Sequence, residues 1–337
     1  YSNDGPLLKK LQKSLSEKFF VNYKSIVITS SGTIGLEIIL KNLVQQKKNR
    51  IDEYFCLLPS FTFVASAMAI INAGLKPIFL DVEFETGQLS PEIVERFLLE
   101  KKVNQNKIIA VMPVSPFGAK INKEVWDIFK IKHDIEIVYD EAWSFDTFKK
   151  GIHGNSVISL HATKSLGCGE GGVIIANTTE EGEKFRRLIN FGFDENKNSD
   201  FVGTNAKMSE YSAAVALASL DGWKKNKKEI LIKQSYYLNK INSFSNIQVL
   251  AGFTNKWVWG ALPIILNNSN ELSKLIEAAK LQGIEMRNWW GPGVHRFPWS
   301  KHYMNFNLAN TNKYSYKLIN IPFFQEIIKS NYKEIYF

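Results

Sequence analysis

The chain has 337 residues, 45% of them hydrophobic, which is enough apolar material for a large core and suggests roughly two domains. No run approaches the ~18 uninterrupted apolar residues of a membrane span and no secretory leader is evident; the two cysteines, Cys56 and Cys168, can neither build a disulfide framework nor supply zinc-ligand spacing, so a reducing cytoplasm is expected and no metal. The formal charge of +9 (42 basic against 33 acidic residues) is scattered, and its densest run, Lys224–Lys228, follows a helix-like segment without interleaved aromatics, which reads as a solvated face and not as a nucleic-acid site.

In chain order, a turn over Ser2–Pro6 precedes an amphipathic helix, Leu7–Phe20, whose apolar positions recur at helical spacing. From there to residue 176, short β-branched runs alternate with helical patterns. Strands are expected at Ile26–Thr29, Phe55–Leu58, Pro77–Val82, Ile108–Met112, Ile135–Tyr139, Val157–Leu160 and Val173–Ala176, with helices between them at Gly35–Val44, Pro91–Lys101 and Lys123–His133. Strands alternating with helices predict an α/β domain, its mostly parallel seven-stranded sheet covered on both faces. Two further helices, Glu210–Lys225 and about Glu229–Ile241, precede a change of pattern. Strand candidates Ile247–Leu250, Val258–Ile265 and Ile284–Arg287 around a helix at Asn270–Gln282 read as a smaller C-terminal α+β domain, so the expected division is 1–230 and 231–337.

The segment from His161 to Gly172 sets Lys164 between a β-like run and a glycine-rich turn that leads into another. A lysine on such a rigid edge can be buried enough to lose its proton near neutrality and attack an aldehyde, and the aldehyde that lysines of this kind meet is pyridoxal phosphate. Twenty-four residues upstream, the apolar run Ile135–Tyr139 ends in Asp140, and a carboxylate paired with a pyridinium nitrogen is what that cofactor requires to draw electrons from its substrate. Ser30-Ser31-Gly32-Thr33 joins the first strand to a helix, where free backbone N–H groups and a hydroxyl make a phosphate cradle.

Taken together, Ser31-Gly32-Thr33, Pro59–Ser66, Asp140, Ser159–Lys164, Gly169–Gly172 and Gly203–Glu210 resemble, in order and spacing, the DegT/DnrJ/EryC1/StrS family over nearly the whole chain. The resemblance implies pyridoxal-phosphate sugar aminotransferases of fold type I, working as homodimers with active sites at the subunit interface. It implies further that Lys164 holds the cofactor and moves the proton, that Asp140 holds the pyridinium proton, and that Gly32, Thr33 and Ser159 bind the phosphate, with Asn205 reaching across from the partner. Phe63 would stack on the cofactor ring. Relatives usually carry additional residues before the Gly-Pro turn, so a start trimmed ahead of Tyr1 is expected.

Two departures fall in the substrate pocket. Trp143 stands where many relatives have Gln or His near the cofactor's phenolic oxygen, and its indole can donate there but not accept. Val114–Gly118 replaces a common His-Leu-Tyr run. In the smaller domain, Arg287, Trp289, Trp290 and His295 gather a guanidinium, two indoles and an imidazole within nine residues, groups that cover sugars and pair with phosphates; two core tryptophans with an incidental histidine would give the same string. The expected reaction moves an amine, through pyridoxamine phosphate, from L-glutamate to a keto sugar nucleotide. A dTDP-4-keto-6-deoxyhexose bound for surface-polysaccharide amino sugars is the favoured acceptor. The alternatives are a 3-keto-sugar aminotransferase and a regulatory protein that binds the cofactor without turnover. Family dehydratases carry His at the position of Lys164 and are disfavoured on that ground.

Overall fold

A computed structural model describes residues 4–47, 53–100 and 102–322. Ser2 and Asn3 of the expected first turn, Lys101 at the end of an expected helix, and residues 323–337 of the expected second domain lie outside the described residues. The chain opens with helix α1 (Pro6–Phe19), followed by strand β1 (Ile26–Thr29), α2 (Gly32–Gln45), β2 (Phe55–Pro59), α3 (Val64–Asn72), β3 (Lys76–Leu80), α4 (Pro91–Leu99), β4 (Ile108–Val111), α5 (Lys123–His133), β5 (Glu136–Asp140), β6 (Asn155–Ser159), β7 (Gly172–Ile175) and α6 (Thr179–Leu188). All seven expected strands of the large domain form, each within two residues of its expected bounds.

They join one sheet in the order β1-β7-β6-β5-β4-β2-β3, in which β7 runs antiparallel to both neighbours and the other pairings are parallel. Alternation along β1 shows how helices cover both faces: Val27 packs with α2, α3 and α6, whereas Ile26 and Ile28 point into the core under α1 and the long helix α7 (Glu210–Ile241). Leu11 and Leu15 of α1 are fully buried there, and burial of each such side chain contributes about 1.5–3 kcal/mol. Glu210, the first residue of α7, fixes the entry of α1 by accepting the N–H groups of Gly5, Leu7 and Leu8 at 3.0–3.1 Å. A buried carboxylate thereby satisfies donors that no helix can satisfy within its own first turn.

The C-terminal part comprises β8 (Ile247–Val249), β9 (Leu262–Leu266), α8 (Ser269–Leu281), β10 (Asn305–Phe306), α9 (Ala309–Lys317) and β11 (Leu318–Ile321). Strands β11, β9 and β8 form a three-stranded antiparallel sheet, and β10 returns to the large sheet as an eighth strand, parallel to β3. The fold is therefore α/β with a mostly parallel large sheet and a small antiparallel one. Among the described residues, no helix is long and apolar enough to cross a membrane.

Three expected elements are corrected. The two helices expected over 210–225 and 229–241 are the single 32-residue α7, because a run of lysines solvates one face without breaking the backbone ladder. A division between residues 230 and 231 falls inside that helix. The strand expected from Val258 begins only at Leu262, since the N–H groups of Val258 and Trp259 donate to the side chains of Asp146 and Gln234, each at 3.0 Å, and not to a neighbouring strand. Ile284–Arg287 contributes one bridge, Arg287 to Asn320, in place of a strand.

Candidate active site

Asp140 is the last residue of β5, and Lys164 sits in the loop that carries the chain from β6 to β7. That loop is pinned across its base by Leu160 N–H to Gly171 O at 2.9 Å and Ala162 N–H to Gly169 O at 2.8 Å. Gly172 then lets β7 pass against the start of α2, where a Cβ would come within 2.4 Å of the Ser31 carbonyl oxygen. Backbone bonds and a close glycine contact thus fix the lysine relative to the neighbouring strand and helix.

The Lys164 ammonium lies 3.7 Å from the centroid of the Trp143 ring, and the backbone of Gly260 packs against the same ring, where any Cβ would overlap it. Burial lowers the Lys164 pKa from 10.5 to about 8, with the Asp140 carboxylate pulling the other way. Asp140 is itself buried, which pushes its carboxyl upward against three opposing influences, the hydrogen bonds from Ser66 and Ala142 and the charge of Lys164. Ser66 Oγ donates to Oδ2 at 2.7 Å and the Ala142 N–H to Oδ1 at 3.1 Å. An ionised carboxylate only accepts, so Ser66 must be the donor to it, and the Thr62 hydroxyl 2.8 Å away must donate to Ser66. Sequence reasoning gave Thr62 and Ser66 no role; their spacing of four on either side of the α3 start was the available signal.

At the other end, Ser31 caps α2 by accepting the Ile34 N–H at 3.3 Å, and Gly32 packs so closely on Ser159 that a Cβ would stand 3.0 Å from the serine's own. Thr33 follows in the first turn, whose N–H groups face away from any partner within the helix. Ser159 Oγ accepts the His161 N–H at 3.2 Å. Phe63 caps α3 and is 48% exposed, whereas Phe61 is 1% exposed and edge-on to Phe117 and Trp290, which leaves Phe63 as the ring of the two with a free face. Asn205 is exposed, with Oδ1 accepting from Lys207 Nζ at 2.8 Å.

A cleft of about 520 Å³ opens beside Lys164, lined among others by Trp143, Ser165, Arg287, Trp289 and Asn320. The small-domain group therefore divides. Arg287 and Trp289 reach the cleft, but Trp290 stacks on Phe117 at 4.3 Å with the planes 16° apart, and His295 bonds through Nδ1 to Ser60 Oγ at 2.7 Å, neither of them lining it. Gly32, Thr33, Phe63, Asp140, Ser159 and Asn205 also lie outside this lining.

The residues fit pyridoxal phosphate. Asp140 is a buried carboxylate whose direct hydrogen-bond donors are neutral, a setting that a protonated ring nitrogen completes, and Lys164 is an amine brought close to neutrality. A model of the DegT/DnrJ/EryC1/StrS aminotransferase family matches residues 1–336. A dTDP-4-amino-4,6-dideoxy-D-glucose transaminase from Shigella dysenteriae is 28% identical, covering 97% of this chain and 88% of that one. A GDP-perosamine synthase from Vibrio cholerae is 27% identical over 99% of this chain and 90% of its own. A crystal structure from Bacillus cereus ATCC 10987, described as a PLP-dependent aminotransferase, superposes with a TM-score of 0.82 at 28% identity, covering 97% of this chain and 88% of that one.

Proposed function

From the premise that the chain belongs to the DegT/DnrJ/EryC1/StrS aminotransferase family, and is thus a pyridoxal-phosphate-dependent sugar aminotransferase, we propose that it moves the amino group of L-glutamate to a dTDP-4-keto-6-deoxyhexose. Full-length similarity to the Shigella transaminase supports the 4-position and the dTDP carrier, and the observation that carries the chemistry is a lysine of pKa about 8 facing the field of a buried aspartate at adjacent strand ends. Glutamate leaves as 2-oxoglutarate and the keto sugar becomes an amino sugar, so the exchange balances without a further reactant. We place the reaction in the cytoplasm, supplying amino sugars for surface polysaccharide.

When bound, pyridoxal phosphate supplies an aldehyde for the lysine and a ring that withdraws electrons from the carbon that loses its proton. The remaining work belongs to the protein. Lys164 Nζ takes the proton from the α-carbon of glutamate and, in the return half, delivers one to the sugar carbon that gains the amine; a pKa near the working pH suits it to both directions. Asp140 holds the proton on the ring nitrogen, and the Thr62–Ser66 hydroxyl chain holds Asp140 in place. Gly32, Thr33 and Ser159 hold the phosphate, Phe63 covers the ring, and Trp143 shields the lysine from water. Asn205, exposed and far along the chain from this set, completes the phosphate site of the partner in a homodimer. Arg287 and Trp289 contact the sugar nucleotide.

The test is a set of reactions of L-glutamate with dTDP-4-keto-6-deoxyglucose, its 3-keto isomer and the corresponding GDP sugar. Release of 2-oxoglutarate matched one-to-one by amino sugar is expected with the first. Release with the 3-keto isomer alone would move the amination to the neighbouring carbon, and release with none would refute the reading.

A further inference from the structure

The Lys164 ammonium rests on a ring and not on a carboxylate. Its Nζ stands 3.7 Å from the Trp143 ring centroid, and among the described residues it forms no ion pair. Asp140 acts on it through its charge, and the other charged groups lining the cleft are Lys233 and the pair Glu285–Arg287, joined at 3.1 Å. The indole is itself held by the absence of a side chain. Gly260 lies so close that a Cβ there would come within 1.9 Å of an indole carbon, and the Gly260 N–H is tied to Phe117 O at 2.8 Å. Gly260 does not have a positive φ, so its backbone conformation does not call for glycine. What this position supplies is room for the ring.

An aromatic face attracts a cation through its quadrupole, indole most strongly, and this attraction is lost when the amine gives up its proton. The ring therefore distinguishes the two forms of the lysine. We propose that Trp143 is the positioning residue for protonated Lys164: its indole, kept in place by Gly260, holds the ammonium until the proton passes to the sugar carbon, and it loosens its hold on the neutral amine that remains. In that step an N–H bond of Nζ breaks and leaves its electron pair on nitrogen, while the carbon takes the proton on a pair of its own. The role goes beyond keeping water out, and it rests on the reading above of Lys164 as the group that carries the proton.

Competitive acetylation of the full chain in its pyridoxamine phosphate form, with acetic anhydride across a range of pH and peptide mass spectrometry as the readout, reports the pKa of Lys164 without turnover. Trp143→Leu keeps apolar cover but offers no ring. Losing the attraction disfavours the charged form, so the Lys164 pKa should fall by about half a unit to one unit; letting in water would move it upward instead. Trp143→Phe restores a face and should fall by less. Gly260→Ala keeps the indole but displaces it, so it should also lower the pKa, and combined with Trp143→Leu it should lower it no further than Trp143→Leu alone. An unchanged or raised pKa in folded Trp143→Leu means that the ring only excludes water, and the proposal is refuted. Should that variant not fold, Trp143→Phe decides alone, a pKa equal to or above that of wild type refuting the proposal. Borohydride reduction of the pyridoxal phosphate form tests the premise separately: a pyridoxyl group on another lysine removes Lys164 from the chemistry, and the role of Trp143 with it.

Discussion

Around the ends of β1, β5 and β6, three polar side chains are hydrogen-bonded before any ligand arrives: Asp140 takes hydrogen bonds from Ser66 and Ala142, Ser159 from His161, and Ser31 from Ile34. The wall that runs from Arg287 to Asn320 is built the other way, with an indole pressed against the cleft and an amide whose donor end is unpaired. A prepaid hydrogen-bond network fixes geometry, so changes there should appear in the rate of the chemical step. Arg287 and Trp289 line the open cleft, so changes there are expected to appear in affinity. The predictions below try to break that division, beginning where the effect should be greatest.

Lys164→Ala should abolish transamination and the cofactor adduct trapped by borohydride, because no other residue in the cleft combines a lowered amine pKa with placement at the strand ends. Mass spectrometry of reduced protein, finding the pyridoxyl group on a different lysine, would end this assignment. In the wild-type chain stripped of cofactor, the rate of pyridoxal phosphate uptake should climb with pH while Nζ loses its proton and level off above about 8. A lysine left at its ordinary 10.5 would still be accelerating there.

Asp140→Asn should slow turnover by roughly 10²–10³-fold with the fold intact, since it removes one partner of a buried charge pair and leaves its shape. Ser66→Ala, which removes only the hydroxyl that aims the carboxylate, should slow it by about tenfold. In both variants the affinity for the nucleotide sugar should hold steady. A variant that loses affinity and keeps its rate would show that the two walls are not separate in function.

The first wall was far more legible in the sequence than the second. Lys164, Asp140 and Gly32 each sit at the boundary between a β-branched run and a turn, and such boundaries are visible because periodicity changes there. Thr62 and Ser66 went unassigned because a hydroxyl four residues from another is an ordinary feature of a helix start; only the fold brings it to a carboxylate 74 positions away. The capping box at Thr178 and Glu181 was written in the sequence and would have announced α6. Strand β10, two residues long, carries no period to read, and Asn320 gave no warning at all. Its unpaired amide exists only because Trp289, 31 residues earlier, turns its N–H toward it.

Trp289 and Trp290 set the finest test, since the sequence treats them as one pair and the structure separates them. Trp289 lines the cleft, whereas Trp290 turns away through a left-handed backbone, φ +65°, and lies flat on Phe117 with Phe61 at its edge. That conformation is about equally unfavourable for tryptophan and alanine, so Trp290→Ala removes the stacking without changing the backbone strain. Since the side chain is only half-buried, a loss of about 1–3 kcal/mol in stability is expected, below the range for a full core aromatic. Affinity for the nucleotide sugar should stay within about twofold of wild type, because no group lining the cleft is removed. Trp289→Ala should do the reverse, weakening the sugar nucleotide more than it weakens the fold. If denaturation and calorimetry place both losses on Trp290, then the wall extends one residue further than the cleft shows, and the stacking on Phe117 gives way when substrate binds.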